Sequence, residues 1–239
     1  MNAVADAGAG ALHVLSAGAA QGLVQALRGR FSEACGASVA ARFGAVGAMK
    51  EALLAGAPCD VMIVTHAMVD ALVSSGHLRA DTRAALGRVR TGIAVRSGDA
   101  RPDISSAAAL RASLLAADAL YFPDPVRATA GIHFANVMKT LGVHAKLESR
   151  FRTFPNGAAA MRELAATTVL RLIGCTQVTE IMLAEGVSLV GNLPQEFELA
   201  TVYTAAVNVR ARQPELAARF IALASGAGTQ PLRAQLGFD

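Results

Sequence analysis

Residues 43–63 have the sequence Phe43-Gly-Ala-Val-Gly-Ala-Met-Lys-Glu-Ala-Leu-Leu-Ala-Gly-Ala-Pro-Cys-Asp-Val-Met-Ile63, and this segment alone predicts the architecture. A strand ends at Phe43 and leads through a glycine-flanked turn into an apolar helix over 47–55, which Gly56 terminates. The next strand, 60–65, is apolar enough to be buried on both faces. A strand, a helix and a second strand in this order predict a parallel sheet covered by helices.

The same alternation continues along the whole chain. The predicted strands are 12–17, 38–43, 60–65, 88–96, 119–122, 145–150, 169–173, 187–190 and 200–209. The predicted helices are 20–35, 47–55, 66–74, 105–116, 130–141, 157–166, 177–184, 214–224 and 230–236. Because the two long strands, 88–96 and 200–209, enclose a complete α/β unit, we expect two Rossmann-like lobes joined by two hinge strands. Lobe one is expected at 1–92 plus 205–239, and lobe two at 93–204.

Composition excludes several classes of protein. Of the 239 residues, 53% are hydrophobic but only 5% are aromatic, and mean hydropathy is +0.41. No uninterrupted apolar run is long enough to span a bilayer, so no membrane insertion is expected. The formal net charge of +4 comes from arginines spread along the chain, without the basic face that nucleic acid binding needs. A modest positive field favours a small anionic ligand.

Cysteine and histidine spacing predicts neither a disulfide framework nor a metal site. Cys35, Cys59 and Cys175 are odd in number, widely spaced and set in apolar segments, so we expect buried thiols. The five histidines have no metal-ligand spacing, and no cofactor motif is present. We therefore expect no metal and no cofactor.

The first twenty residues carry no Lys or Arg and include an acidic residue, Asp6. A secretory signal peptide has a basic start followed by an apolar core, and this segment does not fit that pattern. We therefore expect either a cytoplasmic protein or a periplasmic one whose leader has been removed.

Four strand-to-helix junctions are rich in small residues, and such junctions bind ligands in open α/β sheets through helix N–H groups. They are 15–20, 43–49, 124–131 and 174–180. The alternative interpretation is that Ser16, Thr129 and Thr176 only cap helices and that the glycines only make turns.

The ordered set of segments resembles the type II periplasmic substrate-binding proteins, specifically the molybdate-binding protein family. Besides 43–63, the resemblance rests on Ser16-Ala-Gly-Ala19, Gly131-Ile-His-Phe-Ala135, Asn192-Leu-Pro194 and Thr201-Val-Tyr203. It extends from about residue 12 to residue 238. It implies two lobes that close on a small anion, and it implies a monomeric solute-binding protein that delivers this anion to the permease of an ABC transporter.

The resemblance also implies the residues of the site. Ser16 matches the family's first oxyanion-binding serine, and Tyr203 matches a hinge tyrosine that donates its O–H. Molybdate binders usually carry a serine hydroxyl where this chain has Ala45 or Val46. The missing hydroxyl leaves a buried acceptor unpaired, at about 1–3 kcal/mol, which argues against molybdate or tungstate as the ligand. The implied ligand-binding residues are Ser16, Ala17, Gly18, Val46, Gly47, Thr129, Ala130, Gln177 and Tyr203.

A branch of the same family that includes aconitate isomerase has further similar segments. They are Val95-Arg96-Ser-Gly98, Pro102-Asp-Ile104, Asp124-Pro125 and Gln177-Val-Thr-Glu-Ile181. This resemblance implies an alternative function, the isomerisation of an unsaturated carboxylate such as aconitate.

An isomerase of this kind would hold its carboxylates with cationic or amide side chains, for which the candidates are Arg96, Arg127, Arg152 and Gln177. It would move the proton with His133 or Glu180. His13, on the first strand, is a further imidazole candidate. The alternative for each of these side chains is an ordinary place on the surface or in the core. A ligand sensor in the cytoplasm is the third possible function.

Overall fold

The computed structural model describes residues 10–239. Of the first twenty residues, which were compared with a signal peptide, residues 1–9 lie outside the described part of the chain. The strands are β1 Leu12–Ala17, β2 Val39–Gly44, β3 Val61–Thr65, β4 Ala84–Arg96, β5 Ala119–Pro123, β6 Phe151–Phe154, β7 Leu172–Gln177, β8 Val187–Asn192 and β9 Ala200–Val207. The helices are α1 Gln21–Cys35, α2 Val46–Leu54, α3 His66–Ser74, α4 Ala107–Ala116, α5 Thr129–Thr140, α6 His144–Leu147, α7 Gly157–Ala166, α8 Val178–Leu183, α9 Pro214–Ser225 and α10 Gln230–Gln235.

The strands form two sheets that share β4, which confirms the predicted two-lobed α/β fold. In lobe one the order is β2-β1-β3-β9-β4, with β9 antiparallel to both of its neighbours. In lobe two the second half of β4 pairs with β7 and β8, and β7 continues to β5 and β6 in parallel. The chain crosses to lobe two within β4 and returns through 193–199 into β9. The residue-level boundaries at 92/93 and 204/205 stay a prediction.

Each lobe has its own hydrophobic core. In lobe one, helices α1 and α9 pack on the sheet, and Phe31 and Phe220 meet edge to face with ring centroids 5.3 Å apart. In lobe two, Phe122 makes the same kind of contact with Phe134 at 5.4 Å. No single core spans the two lobes, so each lobe is an α/β unit of its own, and the two are joined by the hinge strands and by contacts across the cleft.

Two predicted strands are displaced along the chain. Residues 145–150 are helical rather than extended, and the strand lies at β6. Val143 and Leu147 are both fully buried, and their spacing of four places them on one face of a helical turn. The strand predicted at 169–173 is β7, whose last residues, Thr176 and Gln177, are polar but buried in the sheet.

The three cysteines are free, and Cys59 and Cys175 are buried as expected, whereas Cys35, at the end of α1, is only partly buried. Desolvation by burial raises the pKa of Cys59 to about 12. None of the helices in residues 10–239 combines the length and the apolar character that a membrane crossing requires. Within that part of the chain, no group of three His, Cys, Asp or Glu side chains is arranged to hold a metal ion.

Candidate functional site

A small cavity lies between the two lobes at the carboxyl ends of their strands. Its volume is about 20 Å³, a little more than a single water molecule needs. It is lined by Ala17, Gly18, Ala19, Gly44, Ala45, Val46, Pro123, Ala128, Thr129, Ala130, Asn156, Gly157, Gln177, Glu180 and Tyr203. All four junctions singled out in the sequence contribute to this lining. In this closed arrangement the cavity fits only a compact ligand, and a larger one requires the lobes to separate.

Helix N-termini from both lobes are directed at the cavity. The residues that precede α2 and α5 are Ala45 and Ala128, which have no side-chain group that could cap a helix. The first N–H groups of α2 and α5 therefore have no side-chain partner at the cap position, and N–H groups at a helix N-terminus attract anions. In α2 one of them, the N–H of Gly47, is occupied by a backbone carbonyl. The helix α7 begins differently, because the Asn156 Oδ1 accepts a hydrogen bond from Ala159 N at 2.8 Å.

The alternative interpretation that Ser16, Thr129 and Thr176 cap helices with their hydroxyl groups is wrong. Ser16 is fully buried, and its Oγ donates to the carbonyl of Ala17 at 2.9 Å. Thr129 is the first residue of α5, so Ala128 occupies the cap position. The Thr176 hydroxyl donates to Oε2 of Glu180 at 2.5 Å. Of these three residues, only Thr129 lines the cavity.

Glu180 places a carboxylate inside the cavity. Its side chain belongs to lobe two, is 6% exposed, and lies against Gly157 of its own lobe and Gly18 of lobe one. Desolvation raises the pKa of Glu180, and hydrogen bonding from the Thr176 hydroxyl and from backbone N–H groups, including that of Gly157, opposes the rise. Glu180 therefore releases its proton at a higher pH than an exposed glutamate does, which is typical of carboxyls in ligand sites.

Gln177 is the second polar side chain of the cavity. It is 3% exposed, and neither its Nε2 nor its Oε1 has a hydrogen-bond partner in residues 10–239. Leaving a buried amide without partners destabilises a protein by about 1–3 kcal/mol. A ligand that both donates to and accepts from this amide would remove that penalty.

Tyr203 contributes a phenol from β9. The residue is 2% exposed and lines the cavity. Burial raises the pKa of Tyr203, and the negative charge of Glu180 adds to the rise. The phenol therefore stays protonated and is available as a hydrogen-bond donor.

The structure places several other candidate residues outside the cavity. The N–H of Gly47 donates to the carbonyl of Arg127 at 3.2 Å, so in this closed arrangement it is not available to a ligand. The ring of His133 is hydrogen-bonded to the carbonyl of Phe197 at 2.8 Å. His13 lies at the opposite end of β1, on the rim of a different cavity.

The three candidate arginines also lie away from the cavity. Arg96 pairs with Asp99 at 3.1 Å and also donates to the carbonyl of Thr167. Arg152 is exposed and donates to the carbonyls of Ser149 and Phe151. The guanidinium of Arg127 pairs with Glu51 of lobe one at 2.9 Å, at the lip of the cleft.

Asn156 and Gly157 line the cavity from the start of α7 and are not among the site residues predicted from the sequence. The preceding strand was predicted at 145–150 instead of at β6, so this junction was not recognised as the carboxyl end of a strand. An available signal was Asn followed by Gly ahead of an apolar helix, which is typical of a helix start.

The chain is similar to known proteins in sequence and in fold. A family model for bacterial extracellular solute-binding proteins matches residues 12–239. Aconitate isomerase from a Pseudomonas species is 26% identical over 215 residues, which cover 86% of this chain and 79% of that protein.

Solved structures show the same fold. The periplasmic molybdate-binding protein of Azotobacter vinelandii has a TM-score of 0.79 and 18% identity, covering 95% of this chain and 98% of the other. A sulfate-binding protein from Mycobacterium tuberculosis has a TM-score of 0.77 and 16% identity, covering 96% and 86%. The chain therefore belongs to the bacterial extracellular solute-binding proteins, as a type II periplasmic binding protein of the molybdate-binding-like branch.

Proposed function

We propose that this protein binds a small anion, an oxyanion or a small carboxylate, in the cavity between its lobes. The observation that carries the proposal is the unpartnered amide of Gln177, which is buried and lines that cavity. Buried polar side chains are nearly always hydrogen-bonded, so an unpaired one in a cleft indicates a missing partner. The uncapped N-termini of α2 and α5 favour a negative charge on that partner.

Family membership supports a role in solute uptake. Within this proposal the protein acts in the periplasm as the solute-binding component of an ABC transporter, and its closed, loaded form docks on the permease. The relatives with solved structures include one named as molybdate-binding and one named as sulfate-binding, which supports an anion as the ligand class.

Thermal unfolding with a ligand panel tests the proposal. The panel comprises molybdate, tungstate, sulfate, phosphate, and di- and tricarboxylates. A ligand at a hundred times its Kd stabilises the folded state by about 2.7 kcal/mol. The variant Gln177→Leu should lose most of this stabilisation, whereas Gln195→Leu, at an exposed position, should keep it. If no member of the panel raises the Tm of the unaltered protein, the proposal fails.

A second candidate function is isomerisation of an unsaturated carboxylate. It is favoured by the position of Glu180 in the cavity and by the similarity to aconitate isomerase. In such a reaction the carboxylate of Glu180 would take a proton from the allylic CH₂, the double bond would shift, and the carboxyl, after exchange with solvent, would deliver a proton to the far carbon of the original double bond. Of the acid–base candidates from the sequence, Glu180 is the one that lines the cavity.

Proton NMR of trans-aconitate in deuterated buffer tests this second function. An isomerase would convert the substrate and incorporate deuterium, and Glu180→Gln would abolish both processes. Absence of conversion and of deuterium uptake with the unaltered protein would exclude this activity for aconitate.

A further inference from the structure

The proposed anion site contains a negative group of its own. The carboxylate of Glu180 is buried among Gly18, Gly157 and Thr176, and a Cβ atom on either glycine would come within 3.0 Å of a carboxylate oxygen. The lining of the cavity includes no Lys, Arg or His. An anion in this cavity would therefore lie beside Glu180 without a cationic side chain to separate the two charges.

The elements packed against α8 do not supply a counter-charge either. The elements with the most extensive contacts to α8 are the 3₁₀ turn at residues 18–20, α1, α7, β4, β7 and β8. Their charged side chains are exposed or paired with carboxylates outside the cavity: Arg28, Arg30, Glu33, Arg162 and Glu163 are exposed, while Arg88, Arg90 and Arg96 are paired. Their remaining titratable groups are the thiols of Cys35 and Cys175. Tyr203 on β9 also faces Glu180, and it is neutral.

Two like charges in contact inside a low-dielectric cavity repel strongly, and a proton shared between them converts this repulsion into a hydrogen bond. The proton can come from the ligand, if the ligand has a hydroxyl or an acidic hydrogen. A fully deprotonated oxyanion has no such proton, so a proton must be taken up from solvent when it binds. The unpaired Oε1 of Gln177 is a second acceptor in the same cavity, and it also requires a donor.

We propose that Glu180 determines specificity by making the cleft selective for anions that carry a hydrogen-bond donor, and against fully deprotonated oxyanions of the same size. This inference rests on the proposed function. The shared chemistry of the ligand is a negative charge with an O–H group, which both a hydrogen phosphate and a hydroxycarboxylate provide.

Isothermal titration calorimetry at about pH 8, where phosphate carries a proton and sulfate carries none, tests the inference. The matched pairs are phosphate against sulfate, arsenate against selenate, and malate against succinate. The unaltered protein should prefer the hydroxyl-bearing member of at least one pair by about tenfold or more. Glu180→Gln offers an amide donor in place of the carboxylate and should shift that preference toward sulfate, selenate or succinate. The exposed Glu185→Gln should leave it unchanged.

A second measurement avoids dependence on the folding of the variant. When the unaltered protein binds sulfate or selenate, titrations in buffers of different ionisation enthalpy should reveal uptake of about one proton, and phosphate should bind without this uptake.

The outcomes separate the inference from the proposed function. Equal affinity for both members of every pair, with no proton uptake, would overturn the role of Glu180 and leave anion binding intact. If neither the unaltered protein nor Glu180→Gln binds any of these anions, the proposed function fails together with the inference.

Discussion

Gly18 and Glu180 meet across the cleft, because a Cβ atom on residue 18 would come within 3.0 Å of Oε1 of Glu180. Gly18 follows β1 in lobe one, whereas Glu180 lies on α8 in lobe two. The closed position of the lobes therefore depends on the absence of a side chain at residue 18, and the carboxylate of Glu180 is the group that uses this space.

Gly18→Ala should weaken anion binding while the fold stays intact. The added methyl group must push Glu180 away or hold the lobes apart, and overpacking of this kind typically costs 1–3 kcal/mol, or about tenfold or more in Kd. Residue 18 is not in the left-handed backbone region, so the effect comes from the contact rather than from strain. Calorimetry with phosphate as the probe measures it.

Gly29→Ala is the matched control, since Gly29 lies within α1 and has open space around its Cα. Alanine favours a helix interior, so this variant should keep its affinity and gain up to about 1 kcal/mol of stability. Equal affinity of Gly18→Ala and the unaltered protein would show that the two lobes do not need to approach this closely.

Gln177→Leu should stabilise the ligand-free protein while weakening ligand binding. The amide of Gln177 is buried without partners, and replacing it by an apolar group of similar size should raise the free energy of unfolding by about 1 kcal/mol or more. Urea denaturation without ligand measures this change, and Gln195→Leu should stay within about 0.5 kcal/mol of the unaltered protein. A loss of stability in Gln177→Leu would contradict the view that the amide lacks a partner in the free protein.

Stability should fall as the pH rises through the titration of Glu180. Burial raises the pKa of this carboxyl above its ordinary value of 4.5, so the folded state binds the proton more tightly than the unfolded state does. Its contribution to stability is therefore fully present below pH 4.5 and is lost as the pH rises through the folded-state pKa. The slope for one proton is at most about 1.4 kcal/mol per pH unit.

Urea denaturation across this pH range, for the unaltered protein and for Glu180→Gln, measures the effect as a difference between the two. The variant has no proton to lose at residue 180, so the difference should change with pH in that window. The exposed carboxyls of Asp81 and Asp118, whose pKa values are lowered by arginine partners, titrate below 3.8 and therefore outside it. A difference that is constant with pH would mean that Glu180 titrates as an ordinary carboxyl.

Glu51→Gln should affect ligand release more than stability. The ion pair between Glu51 and Arg127 joins the lobes at the lip of the cleft, but both side chains are more than half exposed. Such pairs contribute about 0–1 kcal/mol, so the free energy of unfolding should change by less than 1 kcal/mol. Stopped-flow dissociation of bound phosphate should become faster, and high salt should have the same effect on the unaltered protein.

The double charge swap Glu51→Arg with Arg127→Glu is the control for this ion pair, and it should restore slow release. If the swap releases phosphate as fast as Glu51→Gln does, the ion pair has no part in holding the cleft closed.

The fold class could be predicted from the sequence because strands and helices are recognised from patterns of neighbouring residues. The buried strand at 60–65 is recognised by its own composition, and the position of Gly56 ends the helix before it. The observed helix α3 has the same bounds, His66–Ser74, as the predicted one. The strand predicted at 145–150 was wrong because the alternating pattern there is short, and the burial of Leu147 depends on residues elsewhere in lobe two.

Periodicity and small residues along the chain determined the two α/β lobes and identified the junctions from which a cleft could be built, because helix and strand patterns depend on near neighbours. Only the tertiary structure decided which side chains enter that cleft. Arg127 forms an ion pair with Glu51, a residue 76 positions away, and therefore lies outside the cavity. Glu180, in contrast, lies in the cavity against Gly18 of the opposite lobe. Such pairings arise from packing between distant segments, and no pattern of neighbouring residues encodes them.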